Sequence, residues 1–277
     1  MSEPTESVRK RVLGFFVLTF AVSWTLWGLG AILGTDSGTW PMLSTLAGFG
    51  PLAVGGALSW RDGNVRSWAR QALRWRTEIQ WWAVALFVAP VLSLIGYGSY
   101  LAVTETSFGL TDDPIVILYL MLFFYILLLR GGFGEEMGWR GYALPLLLKQ
   151  YNTTIAALLI GVGWAAWHLP LFFIQGTRQS GSFTLYLVGV VGLSIILAWL
   201  YTRSRGSVLL TTVFHAQWNV FDSGALFATS GEAPLVAPGA SALVIWLFAG
   251  ILIVADSETM RSEHPGLNPF AETATDE

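Results

Sequence analysis

The sequence predicts an all-α protein, a polytopic membrane helix bundle of about eight transmembrane helices with the N and C termini cytoplasmic. Three observations lead there. Of 277 residues, 54% are hydrophobic and only 12% charged, where an ordinary soluble domain carries about 25% charged residues. Apolar runs of the length that crosses a bilayer core, about 20 residues, recur from Val12 to Ala255. The basic residues fall in alternate connections, the pattern that orients a bundle with its positive loops inside.

The first apolar segment, Val12–Leu33, runs the full bilayer thickness with no small-residue cleavage pattern, so it reads as a retained helix rather than a signal peptide. The second, Met42–Trp60, contains Gly48, Gly50, Gly55 and Gly56, which suits close helix packing in lipid. Trp81–Val103 and Ile115–Leu148 follow, then Thr154–Ile174, Phe183–Thr202, Ser207–Phe227 and Gly239–Ala255. With eight spans, Arg9, Lys10, Arg11, the loop carrying Arg61, Arg66, Arg70, Arg74 and Arg76, then Lys149, Arg203, Arg205 and Arg261 all lie on the inner side. Arg178 alone falls in an outer loop, among Asp36, Glu105, Asp112, Asp113 and Glu232. The basic loop between Arg61 and Arg76 reads as a stretch apposed to anionic headgroups, as an interfacial helix would be.

No repeat or soluble linker divides the chain. A single integral-membrane domain is expected over residues 1–255, with a motif-bearing core at 115–227 and a polar, acidic, disordered tail at 256–277. The absence of cysteine excludes disulfides, thiolate nucleophiles, iron–sulfur ligation and Cys-type zinc sites. A net charge of −3 gives no reason to expect a nucleic-acid partner. The expected partners are membrane lipid and, from the site described next, a peptide or protein.

Ionisable side chains at membrane depth are costly and by default functional. Three segments carry them: Gly134-Glu135-Glu136-Met137-Gly138-Trp139-Arg140 in the fourth, Trp164-Ala165-Ala166-Trp167-His168 in the fifth, and His215-Ala216-Gln217-Trp218-Asn219 in the seventh. Of three histidines, only His264 lies outside the spans. Glu135 and His168 each stand roughly 16 residues from the turn near Tyr151, which puts them at one depth on antiparallel helices, on the order of 24 Å along each. His215 and Asn219 share one helical face, as do Glu136 and Arg140. Arg140 therefore has a built-in partner in Glu136, and Glu135 is the less committed carboxylate. A glutamate and a histidine from facing helices can activate water, and a second histidine and an amide can donate to a developing oxyanion. Those are the parts of peptide-bond hydrolysis. The bland alternatives are an ion pair that locks helix packing, interhelical glue, and a non-catalytic scaffold.

These residues resemble the CPBP intramembrane proteases, which include the type II CAAX prenyl endopeptidases and bacterial proteins linked to bacteriocin processing and self-immunity. The family pattern is Glu-Glu-x-x-x-Arg, then aromatic-x-x-x-His, then His-x-x-x-Asn, each on its own membrane helix. Glu135, Glu136 and Arg140 match the first, His168 the second, His215 with Asn219 the third. Trp164 stands where the second motif usually has Phe. The resemblance implies an integral, multi-pass protein of a prokaryotic cell membrane that cleaves a peptide bond near the cytoplasmic side. It implies Glu135 and His168 as the water-activating pair, His215 and Asn219 as the oxyanion site, and Glu136 and Arg140 as their support. Trp139 and Trp164 flank the motifs and are candidate substrate-binding residues. No cofactor is expected to be required; the alternative is zinc held by Glu135, His168 and His215, without the compact spacing of a dedicated metal motif. An immunity or scaffold protein of the same fold is the alternative function.

Overall fold

The computed structural model describes residues 5–104, 108–110, 114–177, 179, 181–223, 226–229 and 237–262. Arg178, Glu105, Asp112, Asp113, Glu232 and most of the tail lie outside the described residues. The described chain is helical apart from one short antiparallel pairing. In order come α1 (Thr5–Leu33), α2 (Trp40–Gly48), α3 (Gly50–Arg61) and α4 (Val65–Arg70). Next, α5 (Ile79–Ala83) runs through a π turn into α6 (Ala89–Thr104), followed by β1 (Phe108–Leu110) and α7 (Ile115–Leu129). Then α8 (Gly132–Gly138) passes through a π turn, Trp139–Ala143, into α9 (Leu144–Leu147). The rest are α10 (Thr153–His168), α11 (Phe183–Arg203), α12 (Val208–Asp222), β2 (Phe227–Thr229), α13 (Ala237–Ala255) and α14 (Ser257–Arg261). β1 and β2 pair Phe108 with Thr229 and Leu110 with Phe227, tying the segment after α6 to the one before α13.

Among the described residues, five helical stretches are long and apolar enough to cross a membrane, or six if the bent pair α2 and α3 is one span. The expected eight differ for two reasons of local chemistry. The second segment breaks at Phe49 with a 42° bend, because Gly50 and Pro51 follow directly and proline offers no N–H to the preceding turn. The seventh forms a helix of only 15 residues, α12, about 22 Å long. From Val208 to Val220 nearly all of it is buried against other helices, so its length need not match the lipid. The last segment forms the apolar helix α13, 19 residues long.

Apolar side chains point outward as well as inward. Leu13, Val17, Leu29 and Ile32 on α1, and Val116, Ile117, Met121, Phe124 and Leu128 on α7, are all exposed, a surface suited to acyl chains rather than water. Inside, α11 is buried without interruption from Val190 to Tyr201. It packs on α10 at Gly161, where an added β-carbon would come within 2.8 Å of the Val191 backbone. Beside that contact Ser194 donates to the Ala157 carbonyl at 2.8 Å, a small-residue crossing with a polar tie.

The basic segments gather at one end of the bundle. Arg11 pairs with Asp62 at 2.6 Å, Arg9 reaches Tyr151 at 3.5 Å, Arg203 meets Asp256 at 3.4 Å, and Arg74 donates to the Arg205 carbonyl. Between Arg61 and Arg76 the chain folds into α4 and a 3₁₀ turn that tuck under the bundle. Trp68 donates to the Met137 carbonyl and the Gln71 amide to the Gly141 carbonyl, both at 3.0 Å. Tyr201 donates in turn to Gln71 at 2.7 Å. These side chains serve carbonyls beside a π turn, where the regular i to i−4 ladder is interrupted.

Gly161→Val tests the α10–α11 crossing. The extra volume has no space at a backbone contact, and the loss of stability expected from overpacking is about 1–3 kcal/mol, read as a lowered unfolding midpoint of the detergent-purified protein. An unchanged midpoint refutes the crossing.

Candidate active site

The site begins with a break in the fourth segment. α7 ends at Leu129, Arg130 leaves helical geometry, and Gly131 takes φ +98° before α8 starts. Only glycine adopts that conformation without strain. Unbroken, Ile115–Leu147 would be a 33-residue helix of roughly 50 Å, well beyond a 30 Å hydrocarbon core. The break lets α8 descend among α3, α10 and α12 with Glu135 and Glu136 both buried. Close seating against α3 depends on Gly134 and Gly138, whose added β-carbons would strike the Gly48–Pro51 backbone.

Glu136 and Arg140, one turn apart, form an ion pair at 2.9 Å with neither side chain exposed. The same carboxylate oxygen lies 2.9 Å from His215 Nδ1. A carboxylate accepts, so His215 donates from Nδ1 and turns Nε2 the other way. Nε2 then faces Gly131. A β-carbon placed on Gly131 would stand 3.1 Å from Asn219 Nδ2, 3.1 Å from Glu135 Oε1 and 3.3 Å from His215 Nε2. Three polar atoms from two helices thus surround the bare face of one glycine.

Trp164 braces this arrangement. Its indole N–H donates to Glu135 Oε2 at 2.5 Å, the Arg140 guanidinium sits 4.6 Å over its ring, and the His215 ring meets it edge-on at 5.2 Å. Such a cation over an indole face is attractive, the more so out of water. His168 Nδ1 lies 3.0 Å from the Trp164 carbonyl. Because a carbonyl only accepts, the proton sits on Nδ1 and Nε2 is left as an acceptor. The ring packs edge-on against Trp167 at 4.6 Å and Tyr186 at 5.3 Å. Glu135 and His168 share no direct hydrogen bond; Trp164 joins them, its N–H to one and its carbonyl to the other.

All six motif residues therefore come to one region, with His168 one helical turn further along α10. The two tryptophans singled out as substrate-binding candidates are placed differently. Trp164 is 2% exposed and its contacts are with site side chains; Trp139 is fully buried, stacked on Phe16 and edge-on to Phe15 and Trp167. Arg130 and Asp222 sit at helix ends. Sequence reasoning missed Gly131, although a Gly-Gly pair after an arginine in an apolar run is a break signal. It also missed Trp68 and Gln71, which no local pattern marks. For a zinc ion, the donor set fits poorly. Among the described residues no three His, Asp or Glu side chains converge as ligands of one ion, and Glu135 Oε2 is already taken by Trp164.

Fold and site define a multi-pass helical membrane protein with a buried Glu/His cluster beside the half-buried Asn219. Residues 117–221, which contain every motif residue, match the family model for type II CAAX prenyl endopeptidases of the Rce1-like kind. The chain is also 26% identical over 266 residues, 88% of its length and 93% of the relative's, to CAAX prenyl protease 2 of Methanococcus maripaludis. Both findings agree with the family resemblance carried by the three motifs.

Arg140→Ala leaves Glu136 buried without its cation, and the expected destabilisation is about 3–5 kcal/mol. Chemical unfolding in detergent measures it. Adding Glu136→Gln should restore part of the loss; if the double variant is no more stable than the single one, the pair is not what holds this region.

Proposed function

We propose that the protein is an intramembrane endopeptidase that hydrolyses a peptide bond in a peptide or protein substrate, lipid-modified or not, near the cytoplasmic side of a prokaryotic cell membrane. The observation that carries this reading is the convergence of Glu135 Oε1, His215 Nε2 and Asn219 Nδ2 on Gly131. A water on that face gives its proton to Glu135 as its oxygen attacks the scissile carbonyl carbon. The carbonyl oxygen gains charge between the Asn219 amide and His215, which donates from Nε2 when doubly protonated, with Glu136 behind Nδ1 offsetting its charge. Collapse of the tetrahedral intermediate breaks the C–N bond, and Glu135 returns the proton to the leaving nitrogen. His168, with Nε2 as an acceptor, shares the general-base work. Trp164 fixes the free oxygen of Glu135 towards the water. No resident metal is needed for these steps.

The orientation belongs to the same reading. The basic end of the bundle faces the cytoplasm, both termini with it.

Glu135→Gln keeps the shape and removes the proton acceptor, so single-turnover cleavage of a reporter peptide in detergent should fall by about 10² to 10⁴. Asn219→Ala should fall by about 10² to 10³ with little change in substrate binding. Wild-type turnover by folded Glu135→Gln would replace this reading with the scaffold alternative. Activity should also survive a zinc-specific chelator; loss on chelation, restored by added zinc, would instead make His168 and His215 ligands.

A further inference from the structure

Away from the Glu/His/Asn cluster, a cavity of about 240 Å³ lies between the first turns of α1 and the end of α3, lined by Lys10, Arg11, Gly14, Leu18, Leu58 and Arg61. Its chemistry changes along its length. The head carries three cations. Arg11 and Arg61 both reach one carboxylate, Asp62, at 2.6 and 3.0 Å. Lys10 holds Glu6 at 2.6 Å, but both are more than 70% exposed, and an exposed pair of this kind is worth little. Below the head the walls are Leu58, which is buried, and Leu18, which opens outward beside the exposed Leu13 and Val17. Leu18 is two helical turns below Arg11, roughly 10 Å. Between them Gly14 leaves the slot open: a β-carbon there would meet nothing within 4 Å.

From this charge and shape we infer that the cavity is a binding site for an anionic membrane phospholipid. Its phosphate sits among Lys10, Arg11 and Arg61, and one acyl chain passes Gly14 along Leu18 and Leu58. A basic head over an apolar slot at the charged end of a membrane bundle matches both halves of such a molecule. A zwitterionic phospholipid brings the chain and a phosphate but adds a cation that the basic head repels, and a soluble phosphate ester fills only the head. The site is also tied to the rest of the fold. Asp62 accepts from Tyr142 at 3.3 Å, and Tyr142 lies in the π turn that carries Arg140.

The test is lipid binding by the purified full-length chain in uncharged detergent, read by native mass spectrometry. Phosphatidylglycerol, phosphatidylcholine with the same chains, and glycerol 3-phosphate are titrated in parallel. Phosphatidylglycerol should bind at least tenfold more tightly than phosphatidylcholine, and glycerol 3-phosphate should not bind in the same range. Each basic residue near a membrane surface is worth about a factor of five in binding, so Lys10→Gln with Arg61→Gln should weaken phosphatidylglycerol by roughly 25-fold. Gly14→Leu keeps every charge and fills the slot; it should abolish the preference. Equal binding of the two lipids, wild-type binding by the double variant, or wild-type binding by Gly14→Leu each overturns the inference. Tight binding of glycerol 3-phosphate overturns it too, by assigning the head to soluble phosphate esters. None of these readouts depends on peptide cleavage.

Discussion

One carboxylate oxygen, Glu136 Oε1, receives both the Arg140 guanidinium and the His215 imidazole with no solvent on any side. Removing a charged pair from water costs several kcal/mol per ion, recovered only where geometry is good and further polar contacts are met. The neighbourhood follows from that demand. The indole of Trp164 covers the guanidinium face, α12 must come within reach to bring His215, and α8 must sit deep enough to be dry. Depth in turn requires glycine wherever α8 meets the α2–α3 corner. The arrangement of α3, α8, α10 and α12 is the set of helix positions at which this pair is dry and still joined to His215.

The sequence disclosed those parts of this arrangement that are periodic. Glu136 with Arg140 and His215 with Asn219 are i, i+4 neighbours on helices, so their pairing needs no tertiary knowledge. The equal distance of Glu135 and His168 from their shared turn likewise put them near one level, and Glu135 does reach Trp164, one turn from His168. The breaks were less legible. Apolarity runs unbroken through Leu129 and resumes at Phe133, so a hydropathy window sees one long segment where the backbone turns at Gly131. Trp164 was legible as an aromatic beside a motif, but the direction of its N–H depends on how α10 faces α8. Trp68 and Gln71 lie in a loop whose composition signals only charge, and their partners are carbonyls, which carry no sequence identity.

The span count shows the same division. A hydropathy window measures how apolar a segment is, and lipid-facing α7 and interior α12 differ in what surrounds them. α7 exposes most of its large side chains, whereas α12 hides nearly all of its own and carries Thr211, Thr212, His215 and Gln217 among them. Length is constrained by the bilayer only for helices that touch it.

The π turn from Trp139 to Ala143 has a consequence for how the chain tolerates change. Relative to an α-helix it holds one surplus residue, so every side chain beyond it is rotated by about 100° from the face that regular counting assigns. The Glu-x-x-x-Arg spacing straddles its entrance and is unaffected. Loss of a single residue between Gly141 and Ala143 would therefore restore regular helical register, leaving the ion pair intact and α9 against its present neighbours. In this stretch a one-residue deletion is absorbed by the turn itself, whereas the same deletion in a regular helix would rotate everything beyond it by about 100°.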